Sequence, residues 1–120
     1  DKYCQTAIDK GFNVEIDVWY TDTWWTGHDR PGYRVSVDFL KKKEVWCHAK
    51  NIEALKRLLD LGAHCFFHQN DNVTLTSKGY LWTNPTHQLT EKSICVLPEL
   101  QSISIDDCAG ICSDYVERYK

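Results

Sequence analysis

No run of apolar residues in this 120-residue chain approaches the ~20 needed for a helix to cross a bilayer, so a helical membrane span is not expected. No Cys-x-x-Cys pair occurs, which removes the strongest sequence signal for zinc. Positive charge is not in excess. Fourteen Lys and Arg stand against 17 Asp and Glu, for a net charge of −3 and a pI near 5.9, so bulk electrostatics give no reason to expect a nucleic-acid partner. No internal repeat, low-complexity tract or secretory leader is visible, although a mature secreted chain would carry no leader. Beyond residue 72 the helices that should separate parallel strands are largely missing as well.

What remains is enough chain for one domain over residues 1–120 with one real core. Five Trp, six Tyr and four Phe supply large surfaces whose polar edges suit a binding cleft. Six cysteines allow three disulfides. Cys47, Cys65 and Cys95, however, each lie inside a short apolar run, where a thiol packs as a small hydrophobe. Free thiols are therefore expected over disulfides, with a reducing, cytoplasmic setting.

Read in order, residues 2–10 have helical spacing and end at Gly11, with Asp1 as the available N-cap. Residues 13–19 alternate as a strand, and Tyr33 to Leu40 alternates through Val35, Val37 and Phe39 as a short strand or extended loop. Val45 to Lys50 is a second clear strand. Asn51 then caps a helix over 52–61 with Ile52, Leu55, Leu58 and Leu59 on one side, Glu53 and Arg57 spaced for an i,i+4 pair, and Gly62 at its end. Ala63 to His68 is the next strand. Strand, helix and strand with short links form a βαβ unit, which implies parallel strands and an α/β fold. Residues 73–76, 80–83, 93–97 and 110–112 are shorter strand candidates. The strands near 13–19, 45–50, 64–68 and 93–97 are expected in one mainly parallel sheet.

Side chains two apart on a strand share a face, so Glu15 and Asp17 point one way while Val14, Ile16 and Val18 point the other. Neighbouring carboxylates repel unless a positive charge sits between them, and a hard divalent cation is the usual remedy. A solvated strand face is the plain alternative. The return through Thr21 to Thr26 brings His28 and Asp29 back toward the same end. Further polar residues recur at strand ends: His48 and Lys50, His68 and Gln69, and later Trp82, Glu99 and Asp114. Such recurrence is what the rim of a parallel α/β barrel requires. His64 and His87 fit packing or surface roles better than ligation.

The segment Ala7-Ile8-Asp9-Lys10-Gly11-Phe12-Asn13-Val14-Glu15-Ile16-Asp17-Val18, followed by Gly27-His28-Asp29, resembles the glycerophosphodiester phosphodiesterase family, within the phosphatidylinositol-phospholipase-like barrel superfamily. Near the other end, Gly110-Ile111-Cys112-Ser113-Asp114-Tyr115 is similar to the closing segment of that family. The resemblance implies that Glu15 and Asp17 bind a divalent metal, Mg²⁺ or Ca²⁺, and that His28 is one of two acid–base histidines. It also implies that Lys50 is the lysine of an E-x-K or D-x-K strand end. His48 stands where that motif has its acidic member, which removes a metal ligand or changes the preferred ion. His48 and His68 are the residues available to stand in for the second histidine. Lys50, His68 and Trp82 are the expected substrate contacts.

The family opens with a strand ending in His-Arg-Gly, and this chain starts downstream of it. An eight-stranded barrel also needs roughly 200 residues. The expected fold is thus a shortened or incomplete TIM-barrel-like α/β fold with mainly parallel strands. Its expected activity is metal-dependent hydrolysis of a small glycerophosphodiester. A catalytically degenerate relative serving as a binding or structural module is the alternative, and a disulfide-stapled secreted effector rests on the cysteine count alone.

Overall fold

The structure, a computed structural model, describes residues 2–100 and 108–119. Asp1, the candidate N-cap, lies outside the described residues. The chain divides into two compact units, Asp1–His68 and Gln69–Lys120.

The first unit is a five-stranded sheet in the order β3-β2-β1-β4-β5 with three helices. Helix α1 (Lys2–Asp9) leads through Gly11, at φ +93°, into β1 (Val14–Tyr20). β1 turns back into β2 (Trp24–Thr26), which pairs antiparallel with it and then with β3 (Tyr33–Arg34). Residues 33–40 are not one extended segment. Ser36 Oγ accepts the Phe39 amide and starts a one-turn helix, α2 (Val37–Leu40), which drives Leu40 into the core.

β4 (Val45–Ala49), α3 (Ile52–Leu61) and β5 (His64–Phe66) form the expected βαβ crossover, with β1, β4 and β5 mutually parallel. Asn51 sets the start of α3. Its Oδ1 accepts the amides of Ala54 and Tyr20, at 3.0 and 3.2 Å, while its Nδ2 donates to the Tyr20 carbonyl at 2.7 Å. Gly62, in the left-handed region at φ +73°, closes the helix by donating to Leu58 and Leu59. The buried stripe runs through Ala54, Leu55, Leu58 and Leu61, whereas Ile52 and Leu59 are exposed. Glu53 and Arg57 pair at 2.7 Å as their spacing suggests.

One face of this sheet carries Val14, Ile16, Val18, Val45, Cys47, Ala49 and Cys65, packed with Leu40, Ala54 and Leu58. Burying an aliphatic side chain of this size contributes about 1.5–3 kcal/mol, so this face anchors the register. The register then fixes the opposite face: Glu15 beside Trp46 beside His64, and Asp17 beside His48 beside Phe66.

The second unit is a four-stranded sheet, β6-β7-β8-β9 (Val73–Leu75, Leu81–Thr83, Ser93–Val96 and Gly110–Cys112). β6 is antiparallel to β7, and β7, β8 and β9 run parallel.

The barrel-like expectation is overturned. Two mixed sheets of five and four strands replace one mainly parallel sheet, and no closed barrel forms among the described residues. Residues 93–96 form a strand, but in the second sheet. The cause is local. β2 and β3 fold back antiparallel along β1 and occupy the edge a further parallel strand would take. Across β5–β7, β6 meets β7 as a hairpin without a crossover helix. The six cysteines are present as thiols. No helix among the described residues is long and apolar enough to cross a membrane.

Candidate metal centre

Three ligand-bearing side chains converge on the face of the first sheet opposite its helices. Glu15 and Asp17 come from β1 and His48 from β4, and one donor atom from each lies within 4.8 Å of the others. Asp17 and His48 are direct partners in the parallel β1–β4 register, and His48 Nδ1 sits 3.1 Å from Asp17 Oδ1 with both side chains largely buried. His48 Nε2 lies 3.4 Å from the His68 carbonyl oxygen. The imidazole is stacked on its neighbours, 5.0 Å from the Phe66 ring and 4.4 Å from that of His68.

Burial, then the charge of Asp17 and a hydrogen bond with it, push the Glu15 carboxyl up to about 8, against a smaller lowering by Lys50. Asp17 goes the other way. Burial raises it, but hydrogen bonds with His48 and Glu15, together with the charges of His48 and Lys50, outweigh that and hold it below its ordinary range. The pair thus behaves as one proton held by Glu15 beside an ionised Asp17. Glu15 Oε2 is buried with no hydrogen-bond partner among the described residues. An acceptor left in that condition costs about 1–3 kcal/mol, and a cation would satisfy it.

Two carboxylates and an imidazole are also a donor set that divalent cations accept, so the residues fit a metal on two counts. No family model, curated protein or solved structure matches the chain. What the site can do is therefore read from its own donors.

The other expected site residues fall in different places. Lys50 follows β4 directly, its amide bonds the Val18 carbonyl at 2.8 Å, and its charge acts on both carboxyls. The return strand does bring the chain back to β1, where the Gly27 amide meets the Asp17 carbonyl at 3.2 Å. His28 then turns outward, its side chain 82% exposed and its Nδ1 2.8 Å from Asp29 Oδ1. His68 reaches the cluster through its ring and its carbonyl. Trp82 is a buried residue of β7 in the second unit, where Glu99 accepts the Ser113 hydroxyl at 2.9 Å. His64 is buried against Trp46, with ring centroids 3.8 Å apart, which is a packing role.

Sequence reading puts His48 at this strand end as a stand-in for the second histidine; what spacing does not give is its direct contact with Asp17, which makes it a third donor. The signal that finds it is the β1–β4 register. A parallel pair that aligns Val14 with Val45 and Ile16 with Cys47 on the core face must align Asp17 with His48 on the other.

Proposed function

We propose that Glu15, Asp17 and His48 hold a divalent cation, and that the chain is a metal-dependent phosphodiesterase acting on glycerophosphodiester-type substrates by general acid–base hydrolysis. The observation that carries this reading is the convergence of three ligand atoms within 4.8 Å around a buried, partnerless Glu15 oxygen. From the carboxylates alone, Mg²⁺ or Ca²⁺ is the first expectation. When bound, such an ion supplies positive charge against the phosphate as negative charge builds in the transition state.

The chain's own groups take the remaining roles. Lys50, whose charge already reaches both carboxyls, offers its ammonium to a non-bridging phosphate oxygen. Asp29 orients the His28 imidazole through Nδ1, leaving Nε2 to move a proton. His48 serves as a ligand in this scheme, because its Nδ1 already faces Asp17. His68, stacked on His48, lines the substrate side. The partner is a small phosphodiester and not a nucleic acid, in keeping with the net charge of −3. Six thiols support a reducing, cytoplasmic setting.

One observation favours a second reading, a catalytically degenerate relative that binds phosphodiesters without cleaving them. The acid–base candidate His28 is 82% exposed and pairs outward with Asp29. The two readings separate in one assay. Glycerophosphocholine is incubated with the protein and each divalent ion in turn, and release of glycerol 3-phosphate is followed beside binding by calorimetry. Metal-dependent release, lost in Asp17→Asn and reduced about 10²–10⁴-fold in His28→Ala, is the expected enzymatic result. Metal-dependent binding without release selects the binding module. Neither binding nor release removes both readings.

A further inference from the structure

The identity of the cation can be taken further, on the premise that the cluster binds one. His48 is held from three directions. Its Nδ1 faces Asp17 at 3.1 Å, its Nε2 faces the His68 carbonyl oxygen at 3.4 Å, and its ring lies within 9° of parallel to Phe66 and within 6° of parallel to His68. A backbone carbonyl only accepts hydrogen bonds, so Nε2 meets the His68 oxygen as N–H. Without metal, Nδ1 donates to the ionised Asp17; a cation taken up between the carboxylates would stand in place of that hydrogen and meet the Nδ1 lone pair, with Nε2–H still on the His68 carbonyl. An imidazole steadied through its far nitrogen by a carbonyl is the arrangement that metal-ligating histidines commonly use. The stacking on Phe66 and His68 keeps the ring from turning away.

From this geometry we infer that His48 Nδ1 is an inner-sphere ligand, and that the site selects a first-row transition ion of the Mn²⁺ to Zn²⁺ series over Mg²⁺ and Ca²⁺. Mg²⁺ and Ca²⁺ demand oxygen donors and gain little from an imidazole, which Mn²⁺, Fe²⁺ and Zn²⁺ accept. The Glu15–Asp17 pair alone would suit the hard ions. The third donor tips the choice, because it occupies a position a carboxylate or water would otherwise fill.

Mn²⁺ is the probe of choice, because the six thiols compete for it poorly and it is paramagnetic. Calorimetric titration of the intact protein with Mn²⁺ and with Mg²⁺ should give at least about tenfold tighter Mn²⁺ binding. His48→Asp, which restores an all-oxygen set, should lower the Mn²⁺-to-Mg²⁺ affinity ratio about tenfold or more. Electron spin echo envelope modulation of the Mn²⁺-loaded wild-type protein should show coupling to an imidazole nitrogen, and it needs no variant to fold. Bound Mn²⁺ without nitrogen coupling, or an affinity ratio unchanged in a folded His48→Asp protein, overturns the inference and leaves the metal site standing. Failure of every divalent ion to bind at millimolar concentration overturns the inference and the metal reading beneath it together.

Discussion

Asp17 and His48 face each other directly across two parallel strands, carboxylate to imidazole at 3.1 Å, on the sheet face that the helices leave uncovered. The contact is a product of register. A one-residue slip of β4 would turn His48 into the core and bring Cys47 or Ala49 to face Asp17, while exposing apolar positions on the other face. The same apolar packing that stabilises the first unit therefore assembles its polar cluster.

Metal binding should be visible as stability. A cation at 100 times its Kd adds about 2.7 kcal/mol to a protein that binds it only when folded. Thermal melts with and without millimolar divalent ion should show the rise in the wild-type chain. Asp17→Asn should abolish it, and an identical rise in that variant would exclude Asp17 as a ligand.

Without metal, stability should fall as the medium is made more alkaline. Folding raises the Glu15 carboxyl from 4.5 to about 8, so the folded state holds a proton that the unfolded state releases. The associated stability is complete below pH 4.5 and is lost as pH rises through about 8. The slope is at most about 1.4 kcal/mol per pH unit for one proton. Asp17 works at the other end of the scale: its lowered carboxyl loses its contribution only as pH falls through the acid range. Melts in chelator between pH 5 and 8 should therefore decline for the wild type and lie nearly flat for Glu15→Gln. A flat wild-type profile would contradict the burial of Glu15 as a proton-holding group.

The loop that carries His28 has a steric limit. A Cβ added at Gly27 would run into the Arg30 carbonyl oxygen, so backbone must move. Gly27→Ala should cost about 1–3 kcal/mol. It should also disturb Trp19, whose indole donates to the Gly27 carbonyl at 2.7 Å. A denaturant titration followed by tryptophan fluorescence reads both effects, and an unaltered midpoint would show that the loop has room.

Leu58→Ala tests the anchor. Leu58 is fully buried in α3 against the apolar sheet face, and such truncations cost about 2–5 kcal/mol. If that face sets the register, the variant should lose metal binding only in proportion to unfolding, measured by titrating at a temperature where it is still folded.

Much of the first unit was legible in the sequence. The alternation of Val14, Ile16 and Val18 against Glu15 and Asp17, and the Asn51 and Gly62 limits of α3, are local signals that survive into the structure. Other features depend on tertiary context. Val35, Val37 and Phe39 alternate as in a strand, but a Ser36 cap and the gain from burying Leu40 decide for a helical turn. The length of an apolar run such as Ile94-Cys95-Val96 does not say which sheet it joins, and pairing with β7 and β9 placed it in the second. His28 could be carried toward β1 by spacing alone, but the direction of its side chain depends on the turn that follows Gly27.

Asn51 imposes a narrow chemical filter on one position. Its amide must accept from Tyr20 and Ala54 through oxygen while donating to Tyr20 through nitrogen. Aspartate would meet the Tyr20 carbonyl with an oxygen, serine offers one atom for three bonds, and alanine meets none of them. In a library varied at this position and sorted for folded protein, asparagine should outcompete the residues that ordinarily replace it as a helix cap. The reason lies outside the helix, in the strand that carries the two carboxylates.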